Sequence, residues 1–302
     1  MIFSRVFVVA LALILFSCAQ KENKEQGYDI LVEDLNFSKD VVFDSVQVPH
    51  HLRRIVRDIS TLNTYQTEAL AKGATENPNF ENAKKLYDLA SEGELLSLTD
   101  NRNNAVALYA AVGLLEINPQ YATAIFQKFL NRKGKVHTQN GCIIGYEYLA
   151  EPLYQHYSNT LKPEEVRSDA GLQKLDSMLL FAKNSSEPML VMAFRNRTYS
   201  DHLKKQIEKL AFQEHRGSAI LYLSNWHKKE YALQLEQEYL HFLANDTIHE
   251  IQKRKYLYHL MSFNNPDHKK VILDYIKKDS ASIDDSGIRH QLENNGIYPT
   301  DY

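Results

Sequence analysis

Twelve histidines and two cysteines are the side chains with most to offer catalysis or metal binding in this 302-residue chain. A helical zinc-peptidase site needs His-Glu-x-x-His, which sets two imidazoles one turn apart on one face. His249-Glu250-Ile251-Gln252-Lys253 starts that pattern and puts lysine where the second histidine must stand. His50 and His51 are adjacent, so on a helix they point about 100° apart and are poorly placed to share an ion. His241 and His249 flank the Asn245-Asp246 turn, a spacing that lets them approach each other. Cys142 opens the apolar run Cys142-Ile143-Ile144, the context of a small buried side chain. A nucleophilic thiolate needs a neighbouring base, and none is announced there. Gly141 and Gly145 have the spacing that lets two helices pack closely. No Gly-x-Ser-x-Gly, phosphate-cradling glycine loop or dinucleotide fingerprint occurs. The expectation is a protein with no catalytic site, no metal and no cofactor.

Aromatic residues are more suggestive, with 18 Tyr, 13 Phe and one Trp. Tyr146, Tyr148, Tyr154 and Tyr157 crowd one region around His156. Tyr231, Tyr239, Phe242, Tyr256 and Tyr258 recur near the C-terminal end. Aromatics at helical spacing usually fill a core, with the tyrosine hydroxyl reaching water. Tyrosine and tryptophan also dominate binding hot spots, which makes Tyr146, Tyr154, Tyr157 and Trp226 a candidate binding surface.

The elements that must position these side chains follow from composition and periodicity. Gly (11) and Pro (8) together reach about half their ordinary combined usage of about 12 %, which argues against turn-rich β architectures. Lys plus Arg number 35 against 38 Asp plus Glu, so the chain lacks the basic excess of a nucleic-acid binder. Lys253-Arg254-Lys255 and Lys277-Lys278 fit solvated helix faces. From Tyr28 to Val48, β-rich pieces predict an extended segment packed on a helical body. From Pro49 the period becomes 3.6, and Leu52, Ile55, Val56, Ile59, Leu62, Ala69 and Leu70 predict one helix through Lys72, closed by Gly73. Asn77-Pro78, Asn118-Pro119 and Asn265-Pro266 each open an amphipathic segment, with Asn as N-cap and Pro in the first turn. Leu190, Leu221 and Leu257 mark equivalent points of helical units spaced 31 to 36 residues apart. That period, from about Glu94 to Asp279, resembles HEAT-type and tetratricopeptide-type arrays. The tetratricopeptide signature positions are not reproduced, and the period is short for HEAT. The expected fold is all-α, an irregular α-solenoid of helical hairpins over residues 49–302.

The first residues have a separate logic. Met1 to Arg5 carries one positive charge, and Val6 to Phe16 is eleven apolar residues. As a helix that run spans about 16 Å, short of the roughly 30 Å hydrocarbon core, so it fits a signal peptide over residues 1–17. No later run is expected to match it, which predicts a soluble mature chain. Leu15-Phe16-Ser17-Cys18 resembles the lipobox of bacterial lipoproteins, with Phe16 bulkier than usual. The resemblance implies fatty acylation of Cys18, outer-membrane anchoring on the periplasmic face or cell surface, and residues 18–27 as a flexible tether. Gln20-Lys21-Glu22 resembles the export tag of Bacteroidota surface lipoproteins. Asp44-Ser45-Val46, Asp176-Ser177-Met178, Asp246-Thr247-Ile248 and Asp279-Ser280-Ala281 resemble O-glycosylation acceptors of the same group. Together these features predict an envelope scaffold or adaptor lipoprotein that binds a protein partner. The alternative is a glycan- or peptide-binding lipoprotein of a nutrient-uptake system.

Overall fold

The structure is a computed structural model and describes residues 41–69, 77–183, 185–195 and 197–302. The expected signal peptide, Cys18, the expected tether, the start of the expected extended segment and the expected cap Gly73 lie outside those residues. The described chain is mostly helical, with fourteen α-helices and one three-stranded sheet. It forms two compact units that divide between Thr160 and Leu161.

In the first unit, Val41 to Val48 is held by asparagine amides. Asn103 Nδ2 donates to the Val42 carbonyl (3.1 Å) and Asn101 Nδ2 to that of Asp44 (2.9 Å). A 3-10 turn then leads into α1 (Arg53–Leu62), which buries Ile55, Val56 and Ile59 on one stripe. This helix stops at Leu62, ten residues before the expected end. Asn63 adopts a left-handed conformation (φ 49°), tolerable for asparagine, and reverses the chain into β1 (Thr64–Gln66). Helices α2 (Pro78–Leu89) and α3 (Glu92–Leu98) follow, the latter fixed by a Ser91/Glu94 capping box.

Helix α4 (Asn104–Ile117) is the hub. Every residue from Ala105 to Leu115 is buried, and the helix packs against α1, α2, α3, β1 and the elements that follow. Its apolar run, which includes Tyr109 and Gly113 and is shorter than a span, is consumed by the core. No described helix is long and apolar enough to cross a membrane. After the Asn118-Pro119 turn, α5 (Ala122–Asn131) buries Ile125, Phe126, Phe129 and Leu130 as the periodicity predicts.

Strands β2 (Lys135–Asn140) and β3 (Ile143–Tyr148) then form a hairpin, and α6 (Ala150–Thr160) closes the unit. The sheet order is β1-β2-β3, with β1 parallel and β3 antiparallel to β2. The hairpin corrects two expectations. Gly141 (φ 60°) is the first residue of a two-residue turn that needs positive φ, so it serves no helix contact. Cys142, beside it at the tip, is exposed instead of buried.

In the second unit, eight helices succeed one another. They are α7 (Ala170–Phe181), α8 (Glu187–Phe194), α9 (Asp201–Phe212), α10 (Gly217–Trp226), α11 (Ala232–Ala244), α12 (Glu250–Met261), α13 (Lys269–Lys278) and α14 (Ser286–Asn294). Contacts are local in sequence: α7 touches α8 and α9, α8 and α9 both touch α10, and α10 leads through α11 to α12. Lys253 departs from its expected solvated face. It is 1 % exposed and reaches Glu250 at 3.5 Å.

Candidate functional site

A cleft of about 300 Å³ opens in the first unit between β1, α2, α4 and α6. Each helix contributes one face. Phe80 and Tyr87 stand two turns apart on α2; Tyr109, Val112 and Glu116 follow one stripe of α4; Pro152, Gln155, His156 and Asn159 do the same on α6. Tyr65 from β1 adds a further ring, 4.9 Å from that of Tyr109. The lining therefore combines four aromatic rings, amide side chains, and the carboxylates of Glu68 and Glu116.

Buried hydrogen bonds hold this wall in register. The Tyr109 hydroxyl accepts from the Gln66 backbone N–H (2.6 Å) and donates to the Gln66 carbonyl (3.0 Å). The Gln66 side chain accepts from the Asn79 N–H (2.8 Å) and donates to Gln139 (2.8 Å), joining α2, β1 and β2. Asn79, fully buried, also donates to the Thr64 carbonyl at 2.6 Å. Asn77 does not cap its helix; its amide donates to the carbonyls of Thr67 (2.8 Å) and Ala69 (2.7 Å). Asn118 and Asn265 do cap the turns that follow them. Gly113 has a different task. A Cβ there would lie 2.4 Å from a Tyr87 ring carbon, so only glycine lets that ring rest on α4.

Burial sets the protonation states. It pushes the Tyr65, Tyr87 and Tyr109 hydroxyls up, with mutual repulsion among the would-be phenolates and Glu116 adding to the rise. Burial raises the Glu116 carboxyl and lowers the His156 imidazole. At neutral pH the tyrosines are protonated and His156 is neutral.

The residues singled out by sequence are dispersed. Tyr146 is 53 % exposed on β3, stacked on His137 (4.5 Å), and the Lys135 ammonium sits 5.5 Å from its ring and 4.8 Å from that of Tyr148. Tyr154 is a core residue with no exposed surface, packed beside Phe126 at 5.9 Å, and so lines no binding surface. Its register on α6 turns it inward. Tyr157 is half-buried one turn further along that helix. Trp226 ends α10 in the second unit and is 45 % exposed. Tyr231, Tyr239, Phe242 and Tyr256 are buried there, as core aromatics should be, while Tyr258 is partly exposed. His241 lies against His215 (5.2 Å), and His249 caps α12 by accepting from the Ile251 N–H. Among the described residues, no group of three or more His, Cys, Asp or Glu is arranged to hold a metal ion. Of the acceptor-like triplets, Ser45, Thr247 and Ser280 are exposed, whereas Ser177 follows Asp176, which is buried in an ion pair with Arg197.

Sequence reasoning passed over the cleft residues Tyr65, Tyr87, Tyr109 and Glu116. One signal was present: Glu116 is the sole charge in the otherwise apolar segment 105–117. No family model, curated protein or solved structure matches the chain.

Proposed function

We propose that this chain is a lipid-anchored envelope protein that captures a small ligand in the tyrosine cleft of its first unit. The cleft carries the reading, because concave sites lined by rings and a few convergent polar groups are where small ligands bind. The lipobox-like Leu15-Phe16-Ser17-Cys18 supports the anchor. A thermal-shift screen of the purified full chain against oligosaccharides and short peptides tests capture. A ligand that raises the melting temperature of the wild type should lose its effect in Val112→Phe, whose larger ring fills the cleft. An unchanged shift in that variant would place binding elsewhere. The anchor is tested by metabolic labelling with a clickable fatty acid, which Cys18→Ser should abolish.

A second reading, an adaptor for a protein partner, draws on α7 to α14. Helices and the turns between them are cross-linked there by polar groups 25 to 34 residues apart: Glu187 with Arg216, Lys204 with Glu230, Lys228 with Ser262, and Arg254 with Asp279. Recurring links of this kind support the reading of the unit as helices stacked in sequence order. In-cell crosslinking tests it, and recovery of no protein partner above background would end it.

A further inference from the structure

We infer that the tyrosine cleft takes a small organic ammonium ion. This rests on the capture reading and names the chemistry of its ligand. Four rings line the cleft, Tyr65, Phe80, Tyr87 and Tyr109, together with the carboxylates of Glu68 and Glu116. Among the described residues no lysine or arginine lines it, and burial keeps the one described histidine there, His156, neutral. Such a lining repels anions. Its rings and carboxylates both favour positive charge, the former through cation–π attraction.

The rest of the molecule shows how these rings are otherwise used. Lys135 sits over Tyr146 and Tyr148, Lys204 lies 5.5 Å from the Tyr231 ring, and Lys228 lies 4.3 Å from Phe263. In each place the chain supplies its own cation. At the cleft, among the described residues, only Phe80 has one: Lys84 at 5.3 Å, itself paired with Glu81. Tyr65, Tyr87 and Tyr109 line the space with no described lysine or arginine among the lining residues. The cleft's volume of about 300 Å³ leaves room for a small ion of the tetramethylammonium or butylammonium class. The amides of Gln155 and Asn159 leave acceptors for a substituent N–H or hydroxyl.

The test is titration calorimetry of the purified full chain with tetramethylammonium, n-butylammonium, glucose and acetate, each as a sodium or chloride salt where ionic. Both ammonium ions should bind, more weakly as salt rises, and glucose and acetate should not. Tyr87→Leu and Glu116→Gln should each weaken ammonium binding about tenfold, with melting curves confirming that the variants fold. Glucose binding without ammonium binding would overturn the cation assignment and leave capture standing. If none of the four probes binds, and the oligosaccharide and peptide screen is also silent, the capture reading falls with it.

Discussion

The two units use helices in opposite ways. The first wraps its elements around α4, whose residues Ala105 to Leu115 are all buried, and ties distant segments together through Gln66, Asn79 and Tyr109. The second adds helices in sequence, each meeting mainly its near neighbours. A hub makes a unit cooperative, because removing it strips partners from every other element. A stack can open piecemeal, since each contact is nearly self-contained. A precise cleft belongs in the first kind, where several elements are held at once.

The largest expected effect comes from the two cores. Leu114 on α4 and Leu257 on α12 are both fully buried, and Leu→Ala at either should cost about 2–5 kcal/mol. The consequences should differ in extent. Hydrogen exchange in Leu114→Ala should accelerate across the whole first unit, whereas Leu257→Ala should accelerate it chiefly in α11, α12 and α14. Equal spread in both variants would erase the distinction.

Next come two glycines of the first unit. Gly113→Ala must displace the Tyr87 ring, an overpacking cost of about 1–3 kcal/mol that outweighs the gain in helix propensity. Gly93→Ala, with nothing within 4 Å of the new Cβ, should instead stabilise by about 0.5–1 kcal/mol. Denaturant melts of both variants check the sign. In the second unit, Arg254→Ala removes the paired bonds to Asp279 (2.6 and 2.8 Å). The site is partly solvated, so only a small drop in melting temperature is expected, with exchange changes confined to α12 and α13.

The smallest effect is on pH dependence. Burial lowers His156 in the first unit, and burial with nearby Lys228 lowers His259 in the second, both from 6.5. A depressed folded value means the unfolded chain binds the extra proton. The stability these groups contribute is therefore complete above pH 6.5 and declines as pH falls through their folded values. Glu116, raised from 4.5, has the opposite slope: its contribution is present below 4.5 and fades as pH rises through its folded value. His156→Gln should flatten the loss of melting temperature between pH 7 and pH 5. A slope unchanged from wild type would remove His156 from the account.

The same contrast governs how legible each unit is in the sequence. Helices α9 (Asp201–Phe212) and α10 follow directly from apolar spacing, and so does α5 after Asn118-Pro119, because amphipathic periodicity and Asn-Pro caps are local signals. The first unit hides its logic in non-local pairings. Asn63 ends α1 early only because Thr64–Gln66 has β2 to pair with, some seventy residues later. Gly141 reads as helix-packing spacing until its turn is known. The cleft was illegible for the same reason: Tyr65, Tyr87 and Tyr109 sit on three different elements and form no motif in line. Of the clustered tyrosines, more conspicuous in sequence, Tyr154 is core and Tyr146 and Tyr148 are already served by Lys135.

Hydrogen exchange of the full chain with and without saturating tetramethylammonium tests the assignment of function to the first unit most directly. Added protection should fall on β1, α2, α4 and α6, with α7 to α14 unchanged. Protection confined to the second unit's helices, or absent throughout, would contradict it.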